Sequence, residues 1–402
     1  MFGKIKTICL LAVLLSASNL SAGSVFSGFA GAKIGFSSDK EADGFDPDLM
    51  VQSFFSGQFS FSENIIAHTE FSLRTSDLIA NSIFKKTPAE FQLDEVSLIF
   101  SKQFSGVTNY FSIFLGTYEP IGSDIFLRRQ FGIQPIASRI TESWLGLAGS
   151  VIYPLFGVGG ADVVRFSAQP IAVGLYAYVN HELDDSYVLN ADGRFACAYR
   201  LFAFDFSAGV GTPLRSSAAE DAFVVIDKIY WRAGMNMLIG NHYTTSVFLQ
   251  AGVSDVPFAK RGESFEIDEE RMYLLLEPRI LAEKFQLHIS FFSLPQDTVD
   301  ELIFVEDTLG VNLNVFTDNL YIGSRMFLFG VNAGLSFPEK HFMDFRKPKE
   351  LFDEYTVLAA PYFGSQIGNG QFRVMLQARI SDFIVGHPAS AFSLNVGYKS
   401  QF

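Results

Sequence analysis

The stretch AFSLNVGYKSQF, residues 391–402, places Phe392, Leu394, Val396, Tyr398 and Phe402 on one parity and Ser393, Asn395, Gly397, Lys399 and Gln401 on the other. Alternation with period 2 describes a strand with one dry face and one wet face. The same pattern recurs upstream. In QFRVMLQARI (371–380), Phe372, Val374, Leu376, Ala378 and Ile380 alternate with Arg373, Met375, Gln377 and Arg379, and the Asn369-Gly370 pair marks a turn before it. LMVQSFFSGQFSF (49–61) and NIIAHTEFSLR (64–74) read as two more such strands joined by a tight turn at Glu63, which is a hairpin.

Read through the whole chain, the pattern gives about 18 strands, with 16 as the alternative, each near the roughly 9–11 residues that a tilted strand needs to cross a bilayer. Short connections fall near Glu63, Ser105, Gly157, Arg200, Asn241, Glu283, Asp318 and Asn369. Longer ones fall at 38–47, 76–89, 119–141, 181–186, 213–221, 255–268, 295–302, 337–353 and 382–389. Alternating short and long connections predict an all-β, antiparallel transmembrane barrel, with one rim of tight turns and one of extended loops. The longest connection, 119–141, is a candidate to fold inward and constrict the bore. A barrel this wide leaves an aqueous lumen unless something fills it, and no plug segment is expected ahead of the first strand, SVFSGFAGAKIGF.

Composition agrees with a membrane strand protein. Of 402 residues, 49% are hydrophobic and only 18% charged, and 44 are phenylalanine, yet downstream of the N-terminus no apolar run is long enough for a spanning helix. Lys4 and Lys6, the apolar run Ile8 to Leu15, and the small residues Ser21, Ala22 and Gly23 predict a secretory signal over 1–22 and an exported barrel over 23–402. Cys197 is then the sole remaining cysteine, and no internal disulfide is expected. The net charge of -13 argues against a nucleic-acid partner, which demands a basic face.

Charges on the wet parity lean basic. Arg74, Arg194, Lys228, Arg232, Arg325, Arg373, Arg379 and Lys399 stand against Glu70, Asp192 and Asp205, whereas acidic residues crowd the loops, as in DKEADGFDPD, HELDD and GESFEIDEE. A positive wall lowers the barrier to anions and acidic loops raise it, so the expected lean to anions is modest. Arg128, Arg129 and Arg139 are the candidate constriction residues, placed there if 119–141 folds inward. No enzyme signature is found. His181-Glu182 lacks the second histidine of a zinc helix, and there is neither a G-x-S-x-G elbow nor a phosphate-binding Gly-Lys-Ser/Thr. The DKEADGFDPD spacing misses a calcium loop. No catalytic residue, metal or cofactor is therefore expected.

The signal, the serial amphipathic strands and the final strand ending in Phe402 together resemble a Gram-negative-type outer-membrane β-barrel of the porin family. LDEVSLIF (93–100), FLGTYEPIG (114–122) and LRRQFGI (127–133) are further similar to the strand, turn, strand and inward third loop of phosphate- and carboxylate-type porins. The resemblance implies a water-filled diffusion channel for small hydrophilic solutes in the outer membrane of a diderm bacterium, with both termini periplasmic. It also implies contact with outer-membrane lipid, periplasmic chaperones and the barrel-assembly machinery, and a homotrimer among the assembly states. Leu394, Val396, Tyr398 and Phe402 match the assembly signal of that family, while Ser400 stands where an aromatic residue is common. The alternatives are a surface adhesin or receptor barrel with a loop-closed lumen, or a channel for hydrophobic solutes. If Phe402 is read by the assembly machinery, its deletion will reduce delivery to the outer membrane in cells more than it reduces refolding in detergent; equal delivery of truncated and full-length chains would remove the targeting role.

Overall fold

A computed structural model describes residues 25–38, 47–75, 77–79, 89–141, 156–183, 186–214, 229–241, 244–258, 267–282, 284–300, 302–323, 325–346, 354–385 and 391–402. The signal over 1–22 and Lys228 lie outside them. The first strands are β1 (Val25–Ser38), β2 (Pro47–Ser62), β3 (Ile65–Thr75), β4 (Ala89–Phe104), β5 (Val107–Gly116) and β6 (Gly157–Phe166). They continue as β7 (Ile171–Leu183), β8 (Ser186–Tyr199), β9 (Phe202–Leu214), β10 (Tyr230–Gly240), β11 (Thr245–Pro257) and β12 (Met272–Leu281). The wall is completed by β13 (Gln286–Ser293), β14 (Leu309–Ile322), β15 (Arg325–Phe337), β16 (Thr356–Ile367), β17 (Gly370–Arg379) and β18 (Phe392–Gln401). Each strand pairs antiparallel with its neighbours in sequence, and β1 pairs with β18, which closes an 18-stranded barrel.

The seam is held at its end by Phe402. Its N–H donates to the Gly28 carbonyl at 3.1 Å and its carbonyl accepts from Gly28 N–H at 3.2 Å. Its ring stacks on Phe26 at 4.9 Å and reaches Phe55 at 5.9 Å, beginning an outward aromatic row that continues through Phe71 and Phe91. Gly28 is needed there, since a Cβ would come within 2.2 Å of the Ser56 carbonyl and 3.1 Å of the Phe402 ring. Closure without an edge is what allows a sheet to stand in hydrocarbon.

Parity sorts the side chains as the sequence predicts. Leu376 is 44% exposed on the outside, and Met375, one residue earlier, is 0% exposed on the inside. Phe372, Val374 and Leu376 lie opposite Tyr398, Val396 and Leu394 on the outward face. Apart from the two-residue connection between β7 and β8, tight turns and long connections segregate to opposite rims, and Val25 and Phe402 both sit at the tight-turn rim.

Three expected connections are corrected. Gly157 opens β6 rather than making a turn, and the turn falls at Ser167–Pro170. Gly157 and Gly159 serve close approach instead, because a Cβ on either would come within 3 Å of the Tyr178 side chain from β7. The Asp318-Asn319 pair occupies a bulge within β14, and the chain reverses at Gly323, whose φ is 65°. The connection expected over 181–186 is short, with β7 and β8 separated only by residues 184–185.

Arginine on the lipid side of a barrel costs about 2–4 kcal/mol at the bilayer midplane. Leu376→Arg should therefore destabilise the folded barrel by about that amount, and Asn395→Arg, on the inward row beside Met375, should cost far less. Urea unfolding of the two variants in lipid vesicles measures the difference; equal losses would reverse the face assignment.

Candidate functional site

The lumen is where the chain's polar chemistry collects, and it is occupied. Beyond Gly116, residues 117–141 leave the wall and pack inside the barrel. Ile121, Phe126, Leu127, Ile136 and Ile140 are buried in one cluster with wall residues that include Phe114, Tyr176, Phe248 and Tyr273. Burying side chains such as Phe126 and Leu127 contributes about 1.5–3 kcal/mol each, enough to hold the segment against the wall. Local chemistry shapes it. A short helix, α1 (Ile125–Phe131), begins after Asp124, whose carboxylate accepts from the Ile136 and Ala137 N–H groups at 2.7 and 3.0 Å. It stops at Gly132, which takes φ 63° and returns its N–H to the Arg128 carbonyl.

A loop inside a barrel has backbone carbonyls that no secondary structure satisfies. The wall supplies the donors. Arg194 on β8 donates to the Glu119 carbonyl at 2.6 Å and the Ser123 carbonyl at 3.2 Å, while Asp205 on β9 holds its Nε at 2.8 Å. Asn236 on β10 also reaches the Ser123 carbonyl, at 2.9 Å, and Gln250 on β11 reaches that of Gly122, at 2.6 Å. Arg279 on β12 donates to the carbonyls of Ile136 and Ala137 at 2.8 and 3.2 Å. Its Nε binds Glu277, which also accepts from the hydroxyls of Ser138 and Ser290 and faces His288 Nδ1 at 3.2 Å.

The candidate constriction arginines have three different placements. Arg129 lies over the Tyr118 ring at 4.7 Å and binds both oxygens of Glu95 on β4, at 2.8 and 2.7 Å, with Glu119 at 3.6 Å. Burial works against its charge, but the Glu95 carboxylate outweighs that and holds the guanidinium above its ordinary range. Glu119, accepting from the Tyr176 hydroxyl, has its carboxyl pushed up by burial, with Arg129 and Arg194 opposing. Arg128 is partly exposed, 3.8 Å from Asp124. Arg139 lies over the Phe316 ring of β14, 3.7 Å from its centroid, and lines an open cavity of about 250 Å³.

The wall residues divide too. Arg194 and Arg232 are buried, the latter against Asp192, Tyr178 and Asn190. Arg379 pairs with Glu306 at 3.1 Å and Asp382 at 3.6 Å. Arg74 points inward near the long-loop rim, within 3.9 Å of the Met50 sulfur. Arg373 lines the cavity beside Arg139, together with Ser365, Gln366 and Gln371. Arg325 does not fit the expected wall. It is exposed at the turn end of β15, on the parity of Phe327, Phe329 and Val331, and that parity faces outward.

A second inward segment, 294–308, was not expected. Leu294, Val299, Phe304 and Val305 are buried in the same cluster as 117–141. Asn312 donates to the Phe304 carbonyl at 3.1 Å, Gln377 binds Glu306, and Ser336 binds Asp307 at 2.7 Å. Its sequence signal is the apolar content of LPQDTVDELIFVED, which is high for a connection that faces water.

No family model and no curated protein matches the chain. Among solved structures it is similar to a mutant of the Rh. blastica porin, at 8% identity and a TM-score of 0.40, over 94% of this chain and 100% of that one. A triple mutant of the Rhodopseudomonas blastica porin matches at 10% identity and a TM-score of 0.40, with the same coverage. Wzi of Escherichia coli, described as an outer-membrane protein involved in group 1 capsule assembly and a carbohydrate-binding β-barrel, matches at 10% identity and a TM-score of 0.47, over 98% of this chain and 88% of that one.

Because Arg194 joins Asp205 to two loop carbonyls, its removal strands a buried carboxylate. Breaking a buried pair from one side costs about 3–5 kcal/mol. Arg194→Met should lower unfolding stability by about that much and expose 117–141 to protease, and adding Asp205→Leu should recover much of the stability but not the protection. Recovery of both would show that the carbonyl bonds do not hold the segment.

Proposed function

We propose that this barrel is an outer-membrane channel for passive diffusion of small hydrophilic solutes, with a modest lean to anions. The observation that carries the reading is the two-sided wall: its outward rows are apolar, and its inward rows carry hydrogen-bonding and charged groups around an inward-folded segment, as a hydrated passage requires. The anion lean is best supported by the cavity of about 250 Å³ between the 117–141 segment and β15–β17, where Arg139 and Arg373 stand with Ser365, Gln366 and Gln371. Arg129, bound to Glu95, belongs to the anchoring of the segment rather than to selection. Both ends of the described chain lie at the tight-turn rim, which supports an orientation with termini in the periplasm and long loops outside. Lipid contact, periplasmic chaperones and the assembly machinery are the partners this reading entails.

One observation favours a second reading, a receptor barrel closed by its own loops: the apolar side chains of 117–141 and 294–308 merge into one packed cluster across the lumen. Planar-bilayer recording separates the two. Discrete open-state conductance from folded protein is expected, and silence would favour the receptor. Within a conducting channel, replacing Arg139 and Arg373 together by glutamate should move the zero-current potential in a salt gradient toward cation preference. The shift should be larger at low salt, where the screening length grows beyond about 10 Å; an unchanged potential would place the cavity outside the ion path.

A further inference from the structure

Among the described residues the outward face is apolar over most of its rows, and three of its polar exceptions, Lys102, Asn109 and Asp162, stand close together on adjacent strands. On β4, Val96, Leu98, Phe100, Lys102 and Phe104 share the outward parity, and Lys102 is exposed with its Nζ 5.3 Å from the Phe104 ring centroid. Lys102 lies opposite Asn109 of β5. Asn109 Nδ2 donates to Asp162 Oδ1 of β6 at 2.6 Å. Asp162 is exposed, lies opposite Phe111 at the middle of β5 and Leu175 of β7, and is therefore set within the apolar band rather than at its rim. Phe111, Ile113, Val173 and Leu175, all well exposed, lie beside it on the flanking strands.

An ionised carboxylate directed at hydrocarbon is costly, and one hydrogen bond from Asn109 leaves most of its acceptor capacity open. The ammonium of Lys102 and the carboxylate of Asp162 flank β5 on either side, with Asn109 between them. A two-fold axis along the membrane normal, passing near Asn109, sets Lys102 of one copy toward Asp162 of the other and repeats the contact in reverse. Such self-complementarity is the property of an isologous two-fold interface; a three-fold ring would use two different patches.

We propose that a second copy of this chain docks on the outward face of β4–β6, forming a two-fold dimer in which Lys102 and Asp162 pair reciprocally across the interface within an apolar surround. The occupant is a second copy rather than lipid because the patch carries both signs in a self-matching arrangement and lipid tails can satisfy neither. Charge pairs of this kind set partner and register by complementarity, and like charges brought together by a reversal oppose docking.

The test uses the full exported chain folded into lipid nanodiscs large enough for two barrels, with protein mass read per disc and folding confirmed by resistance to denaturant on gels. Wild type should give dimers, D162K and K102D should each give monomers, and the K102D/D162K double reversal should restore dimers. As a second measurement, oxidation of N109C should yield a crosslinked dimer, because the axis brings the two copies of that position together; the native Cys197 is buried and does not compete. A monomeric or trimeric wild type, single reversals that still dimerise, or a folded double reversal that stays monomeric would each overturn the proposal. If the reversals do not fold, the absence of an N109C crosslink overturns it alone.

Discussion

Everything in this molecule depends on the antiparallel seam between β1 and β18. A sheet in hydrocarbon cannot keep an edge, because each unpaired N–H and C=O would lack water to bind. Residues Phe29 to Phe36 pair with Gln401 back to Leu394, and Phe402 adds the last backbone bonds to Gly28. The aromatic row from Phe402 across Phe26, Phe55 and Phe71 then lays large side chains over the join on its outer face. The phenylalanine that makes the terminal strand conspicuous in sequence is thus a structural clamp on the one pairing that is most distant along the chain.

Closure creates an interior, and the interior imposes a second constraint. Eighteen strands enclose more space than wall side chains alone fill. Among the described residues two connections turn inward, and both bring apolar side chains that pack on one another and on the wall. Their backbones then need donors and acceptors at fixed places; Asp124 within the segment accepts from two N–H groups, and inward-facing wall residues donate to the carbonyls. The buried polar side chains of β8 to β12 answer that need one carbonyl at a time.

How much of this is readable in sequence follows from the range of each interaction. Strand existence and face depend on neighbours two residues apart, so the alternation in 371–380 or 391–402 reveals them directly. The parity of Arg325 misleads because Met326 and Leu328 are apolar on the other row, and a strand apolar on both faces near its turn has no local marker of which side is wet. Gly157 resembles a turn residue, but its reason is the Tyr178 ring on another strand. The inward course of 117–141 is foreshadowed by length, yet its anchors are invisible: Arg279 and Ile136 lie 143 residues apart, and nothing local couples them. The 294–308 segment carries a signal, apolar residues in a connection, that a search for polar surface loops passes over.

The basic lean of the inward rows now has a physical cause other than selectivity. Arg194 and Arg279 are spent on loop carbonyls and on the carboxylates that orient them, and Arg232 on a buried set of tyrosine, asparagine and aspartate. Guanidinium suits that task because its planar fork can hold a carboxylate with one edge and a carbonyl with another, which a lysine's single ammonium cannot do with the same geometry. A charge so engaged is neutralised close at hand and contributes little field to a passing ion. Wall charge counted from sequence therefore overstates the pull that the proposed channel would exert on anions; the arginines that line the open cavity are Arg139, over the Phe316 ring, and Arg373. Because Arg139 belongs to the inward segment, its position depends on the same carbonyl anchors. In the proposed channel, selection and anchoring would thus be mechanically linked: a wall residue that binds only the inward segment, such as Arg279, would set where Arg139 stands.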